Sequence, residues 1–164
     1  MTSVSFIIPV YNKSRYLKTV IESLRQQIGN FEKEYIFIND GSTDNSLEIL
    51  KKAKKTLPNC KIITQKNKGS ANATNVGIFA AKMKYIKFLD ADDIILSNAT
   101  NVLVNFLENS SESVLAYGLQ RKVDNFNKVN LDEKILIHDF SIISKPIFLA
   151  MRNSMFNPSQ FLVR

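Results

Sequence analysis

The chain has 164 residues, 45% of them hydrophobic and 23% charged, which suits one compact globular domain with a single sizeable core. One cysteine, Cys60, excludes an internal disulfide, and one histidine, His138, excludes a histidine-rich zinc site. The net charge of +7 suits anionic partners such as nucleotides or an anionic membrane face, whereas no aromatic-interleaved basic motif marks a nucleic-acid binder.

An apolar, β-branched run at 4–10 reads as a buried strand, closed by Pro9 and by Tyr11 and Asn12. Ser14 is positioned to cap a helix whose inward residues are Leu17, Val20, Ile21, Leu24 and Ile28, stopped by Gly29 and Asn30. A second strand at 35–38 runs into the loop Asn39, Asp40, Gly41, Ser42, Thr43, Asp44. A helix with Leu47, Ile49, Leu50 and Ala53 inward then ends near Pro58. The charged residues Lys51, Lys52, Lys54 and Lys55 read as its solvated face. A third strand at 60–64 holds Cys60, which is expected to be inert there.

The polar loop at 65–70 leads into a helix of small residues, Ala73, Val76, Gly77, Ala80 and Ala81. A fourth strand at 85–89 delivers Asp90, Ala91, Asp92 and Asp93. A helix on Ala99, Val102, Leu103, Phe106 and Leu107 follows, and then a fifth strand at 114–119. Beyond it the pattern weakens. A polar loop at 121–134, a short strand at 135–138, a helix at 140–151 interrupted by Pro146 and an apolar run at 160–163 are expected.

Strands alternating with helices predict right-handed crossovers and a mostly parallel sheet covered on both faces. Such sheets bind ligands outside the carboxyl ends of their strands. Four polar clusters fall there, at Tyr11 and Asn12, at Asn39 to Gly41, at Asn67 to Gly69, and at Asp90 to Asp92. Three carboxylates within four residues at the end of a buried strand demand compensation, since each raises the cost of ionising the others. A divalent cation, Mg2+ or Mn2+, carrying a diphosphate would supply it. The alternative is a solvated acidic turn that caps the next helix.

These motifs, taken in order, resemble the family 2 glycosyltransferases. They are Ile7 to Asn12, Asn39 to Ser46, Asn67 to Gly77 and Phe88 to Asp93. The resemblance implies the GT-A fold, a Rossmann-like three-layer sandwich with a mostly parallel central sheet and helices on both faces. It assigns 1–120 to a nucleotide-sugar donor-binding core and 121–164 to the start of an acceptor-side region. It implies that Pro9, Val10 and Tyr11 pack under the nucleotide base and ribose and that Asp40 accepts from a uracil-type base. Asn67, Lys68 and Gly69 would form the donor loop. Asp90, with Ala91, would meet the ribose and sugar, and Asp92, with Asp90, would hold Mn2+ or Mg2+. Thr74 stands where the family pattern has arginine; if that arginine serves a diphosphate or a carboxylate, its absence weakens nucleotide binding or transfers the task to Lys68.

The implied activity is inverting transfer of a sugar from a nucleotide-diphosphate sugar, with UDP favoured, to a hydroxyl of a glycan or lipid-linked glycan. Its general base comes from a downstream motif. Asp132, Glu133 and Asp139 sit in no matching context and read as surface charge, so the base is expected beyond Arg164. The alternative is a catalytically incomplete nucleotide-sugar-binding module. A dinucleotide-dependent oxidoreductase fails because the loop after the first strand has no glycine-rich fingerprint. The N-terminus lacks a charged-then-apolar leader, so the expected location is cytoplasmic, with peripheral attachment to the inner face of the membrane for a lipid-linked acceptor.

Overall fold

A computed structural model describes residues 1–118, 120–124, 129–131, 133–134 and 158–164. At its centre lies β1 (Ser3–Val10), whose alternate side chains enter two separate apolar layers. Val4, Phe6, Ile8 and Val10 face the larger cluster, and Ile7 faces the smaller one. β1 pairs in parallel with β2 (Glu32–Asp40) on one side and with β4 (Tyr85–Phe88) on the other. β3 (Cys60–Gln65) extends the sheet in parallel beyond β2. The second strand is thus longer than 35–38 and carries Asn39 and Asp40 within it, each only 2% exposed.

Three helices, α1 (Ser14–Arg25), α2 (Ser46–Lys54) and α4 (Ala99–Asn109), bury apolar stripes in the larger cluster. Among the described residues α3 (Ser70–Ala80) alone packs on the opposite layer, which makes three layers. The chain winds outward from β1 through α1 and α2 to β3, then crosses back through α3 to β4. Winding therefore reverses between β1 and β4, and their carboxyl ends part to leave a crevice.

The far side of the sheet holds a feature that residue spacing does not reveal. The apolar run near the C-terminus forms β6 (Phe161–Val163), which inserts antiparallel between β4 and β5 (Leu115–Tyr117). β5 is shorter than 114–119. Val114 is 67% exposed, and residue 119 lies outside the described residues. The expected strand at 135–138 and helix at 140–151 also lie outside them, as do Asp132, His138 and Asp139. The guanidinium of Arg164 donates to the carbonyls of Leu107, Ser110 and Ser111, satisfying orphan acceptors at the end of α4. Among the described residues no helix is long and apolar enough to cross a membrane.

α1 ends at Arg25 instead of reaching Ile28, which is 46% exposed. A buried bracket takes the chain out of the helix. The side-chain amide of Gln27 donates to Ser23 O and Leu96 O, and its oxygen accepts from the Thr100 hydroxyl at 2.8 Å. Ile28 N–H is drawn to Ser97 O at 2.8 Å. Cys60 is half-buried, and burial is the main cause that pushes its thiol up to about 11, which keeps it protonated and inert.

Ser14 does not cap α1; it is the first helical residue, and neither α1 nor α2 has a side-chain cap from its own N-cap position. One carboxylate serves both. Asp44 Oδ2 accepts Ser14 N–H at 2.9 Å, and Asp44 Oδ1 accepts Ser46 N–H at 2.9 Å. Desolvation works against ionisation of Asp44, but hydrogen bonds from Ser46 and Ser14 outweigh it and bring its pKa from 3.8 down to about 2. Ser46 Oγ accepts Lys13 N–H and Ser42 Oγ accepts Asn12 N–H, at 3.0 and 3.1 Å. Asn12, at φ 52, turns its Oδ1 toward the Thr43 and Asp44 N–H groups. The loops that follow β1 and β2 are therefore one braced unit.

Two consequences can be measured. A Cβ added at Gly77 would meet Ile7 Cγ2 at 2.4 Å and Ile38 Cδ1 at 2.8 Å, so Gly77→Ala must displace these side chains or α3. We expect a loss of about 1–3 kcal/mol in denaturant unfolding. Asp44→Asn gives up the charge and one of two caps, and should cost about 1 kcal/mol at pH 7. The folded pKa of Asp44 is depressed, so its contribution is complete above its ordinary 3.8 and lost as pH falls through about 2. The wild type and the variant should therefore converge in unfolding midpoint across that interval, and a constant gap would contradict the double cap.

Candidate functional site

The crevice between β1 and β4 opens into a cleft of about 450 Å³. Pro9, Val10 and Tyr11 reach it from the end of β1, Asp40 from the end of β2, and Asn67 and Gly69 from the loop before α3. Asp90, Ala91 and Asp92 close it from the end of β4. Nine of the ten site residues expected from the sequence thus share one cleft. Lys68 is the exception: its side chain is not part of the lining, and its backbone N–H serves the loop. Two lining residues, Lys13 and Ser70, escaped the sequence reading. Lys13 follows the Tyr11-Asn12 cluster directly, and that position was the available signal.

Asp40 is occupied by the fold. Its Oδ1 accepts Gln65 Nε2 at 2.8 Å and Lys68 N–H at 2.9 Å, and its Oδ2 accepts Gly69 N–H at 2.9 Å. The carboxylate at the end of β2 therefore sets the loop that starts α3. A carboxylate has about four lone-pair sites, so the Oδ2 side retains acceptor capacity toward the cleft. Gly41, at φ +71, fits for a related reason: a Cβ there would stand 2.8 Å from Asn67 N. Only glycine allows these two loops to touch.

The acidic loop does not cap the next helix. α4 begins at Ala99 with Asn98 at its N-cap and no acid in its first turn. Asp93 N–H instead donates to Asp90 O at 3.0 Å, which folds the loop into a turn. Asp90 N–H donates to Ser159 Oγ at 2.9 Å. Burial first, then Asp93 and Asp92, push the Asp90 pKa up, and Lys13 offsets this only in part. Lys13 Nζ forms an ion pair with Asp92 Oδ2.

Below the loop lies Lys87, 1% exposed within an apolar strand, a placement its neighbours in sequence do not announce. Its amine donates to Ser159 O and to Phe88 O. Burial pulls its pKa down to about 7 against the pull of Asp93. Either protonation state can donate to both carbonyls, so Lys87 ties the turn Pro158–Gln160 beneath the acidic loop at neutral pH.

The donor set fits a hard divalent cation. Among the described residues no three His, Cys, Asp or Glu side chains converge into a cage. Mg2+ and Mn2+ are commonly held by one or two carboxylates, with phosphate oxygens and water completing the shell. Asp92 lies in the cleft and already draws the Lys13 ammonium, and Asp90 lies beside it in the same lining.

Residues 5–163 match the family described as Glycosyl transferase family 2. The minor teichoic acid biosynthesis protein GgaA of Bacillus subtilis is 40% identical over 117 residues, which is 68% of this chain and 26% of GgaA. Staphylococcus aureus TarS in complex with UDP superposes with TM-score 0.60 at 28% identity, over 66% of this chain and 32% of TarS. The Pyrobaculum calidifontis mannosyltransferase PcManGT, solved with GDP-Man and Mn2+, gives 0.67 over 72% of this chain and 35% of its own; at 19% identity it bears on the fold alone. The chain therefore spans about a quarter to a third of the length of these relatives. The fold is of the GT-A type, and the chain belongs to glycosyl transferase family 2.

Proposed function

We propose that this chain forms the donor-binding part of a metal-dependent, inverting glycosyltransferase that takes a UDP-sugar and glycosylates a hydroxyl of a glycan or lipid-linked glycan. The observation that carries this is the convergence of Tyr11, Asp40, Lys13 and the Asp90-Ala91-Asp92 loop on one cleft at the switch point of the sheet. TarS, a relative by fold and sequence, was solved with UDP, which supports the uridine assignment.

In this reading Pro9, Val10 and Tyr11 make the apolar wall for base and ribose, with the Tyr11 ring 46% exposed and available to stack. Asp40 fixes the Lys68–Gly69 turn and offers its remaining acceptor capacity to a base N–H. Gly69 and Ser70 bring the N-terminal, positive end of α3 to the cleft, where phosphate is favoured. Asp92 and Asp90 hold Mn2+ or Mg2+, which when bound neutralises charge on the departing nucleoside diphosphate. Asp40 is taken up by the loop and Asp90 and Asp92 by the cation, so the general base for the acceptor hydroxyl lies outside this set. Glu133, one of the late carboxylates, is paired with Arg121 at the surface, at 3.0 Å.

Calorimetric titration with UDP, with Mn2+ or with EDTA, tests the assignment on the wild type and on Asp92→Asn. We expect UDP to bind with Mn2+ and to lose at least about tenfold in affinity when the metal or the Asp92 charge is removed. UDP binding that is indifferent to both changes would remove the metal from the account. A clear preference for GDP would remove uridine.

A further inference from the structure

Lys13 is the one cationic side chain among the described residues that line the cleft, and neither the family resemblance nor the composition assigned it a task. Its backbone is fixed: its N–H donates to Ser46 Oγ at 3.0 Å, and its carbonyl accepts Tyr16 N–H at 2.9 Å in the first turn of α1. Its side chain pairs with Asp92, lies 5.8 Å from the centre of the Tyr16 ring, also acts on Asp90, and is 34% exposed. A flexible four-carbon stem on a fixed base can swing between neighbouring anions at low cost. The usual arginine position is Thr74, and the Lys68 side chain does not reach the lining, so a diphosphate in this cleft finds its ammonium partner at Lys13.

Resting on the donor-site assignment above, we propose that Lys13 is an exchangeable counter-ion. It pairs with Asp92 while the site lacks metal and moves to the donor's diphosphate when the divalent cation takes Asp92. The same ammonium then opposes the metal by itself and favours the metal–nucleotide pair. This makes Mn2+ and UDP bind with positive coupling, and the coupling must be equal in both directions. A partly exposed ion pair is weak, so the opposition is modest, whereas a charge-assisted bond to phosphate is stronger.

The test is titration of Mn2+ alone, and of UDP at saturating Mn2+, on the wild type, Lys13→Met and Lys13→Arg. For Lys13→Met we expect Mn2+ alone to bind about two- to fivefold more tightly. UDP at saturating Mn2+ should bind about tenfold more weakly. Lys13→Arg should restore UDP affinity. Opposite signs are the signature that a merely structural lysine does not give. Both affinities unchanged, both weakened, or a tighter Mn2+ with unaltered UDP would each overturn the hand-over. Failure of the wild type to bind UDP with Mn2+ would instead fall on the donor-site assignment.

Discussion

The acidic turn after β4 is the constraint on which the rest of the site depends. The parallel strand β4 runs into Asp90, Asp92 and Asp93, three acids within four residues. Lys13 reaches Asp92 from the cleft, and Ser159 takes the Asp90 N–H from below. Burial still raises the Asp90 pKa, with Asp93 and Asp92 adding to it. Removing charges from water is stable only where partners replace the water. The same constraint accounts for β6: its insertion beside β4 brings the Pro158–Gln160 turn under the acidic loop, with Lys87 tying the two together.

A second theme is how few of the motif residues are free to meet a ligand. Asn12, Ser42, Asp44 and Ser46 form hydrogen bonds to backbone that lock the first two loops. Asp40 locks the second loop to the third through Lys68 and Gly69 N–H groups. The polar residues that mark this edge of the sheet therefore divide into a scaffold of braces and a smaller exposed set: Tyr11, Lys13 and Asp92. Pre-organisation is what the braces provide, because loops tied to one another lose little further freedom when a ligand arrives.

Much of this was legible in the sequence because it is local. The β-branched run at 4–10, the helical spacing of Leu17, Val20, Ile21 and Leu24, and the polar clusters at strand ends report period and turn chemistry within short windows. Parallel alternation then placed the clusters on one edge. What stayed hidden depends on pairing across the chain. β6 joins β4 from more than 70 residues away in sequence, and no short window carries that register. Asp44 caps α1 through space, so the adjacent Ser14 was the natural but mistaken choice. Lys87 reads as one charge in an apolar strand, and the carbonyls of Phe88 and Ser159, with Asp93 nearby, explain its burial. Ile28 fits the helical period of α1 yet lies outside it, because Gln27 is needed as a bracket to the loop before α4.

Metal and nucleotide are proposed to meet at the β1–β4 crevice. Paramagnetic broadening locates such a site directly, through amide NMR spectra recorded with UDP and substoichiometric Mn2+. The account predicts that the Tyr11, Gly69, Ala91 and Asp92 amides broaden first, while Glu34, Lys61 and Lys82, at the opposite edge of the sheet, stay sharp. Broadening centred on that opposite edge, or none at the Asp90–Asp92 turn in a folded chain, would contradict it.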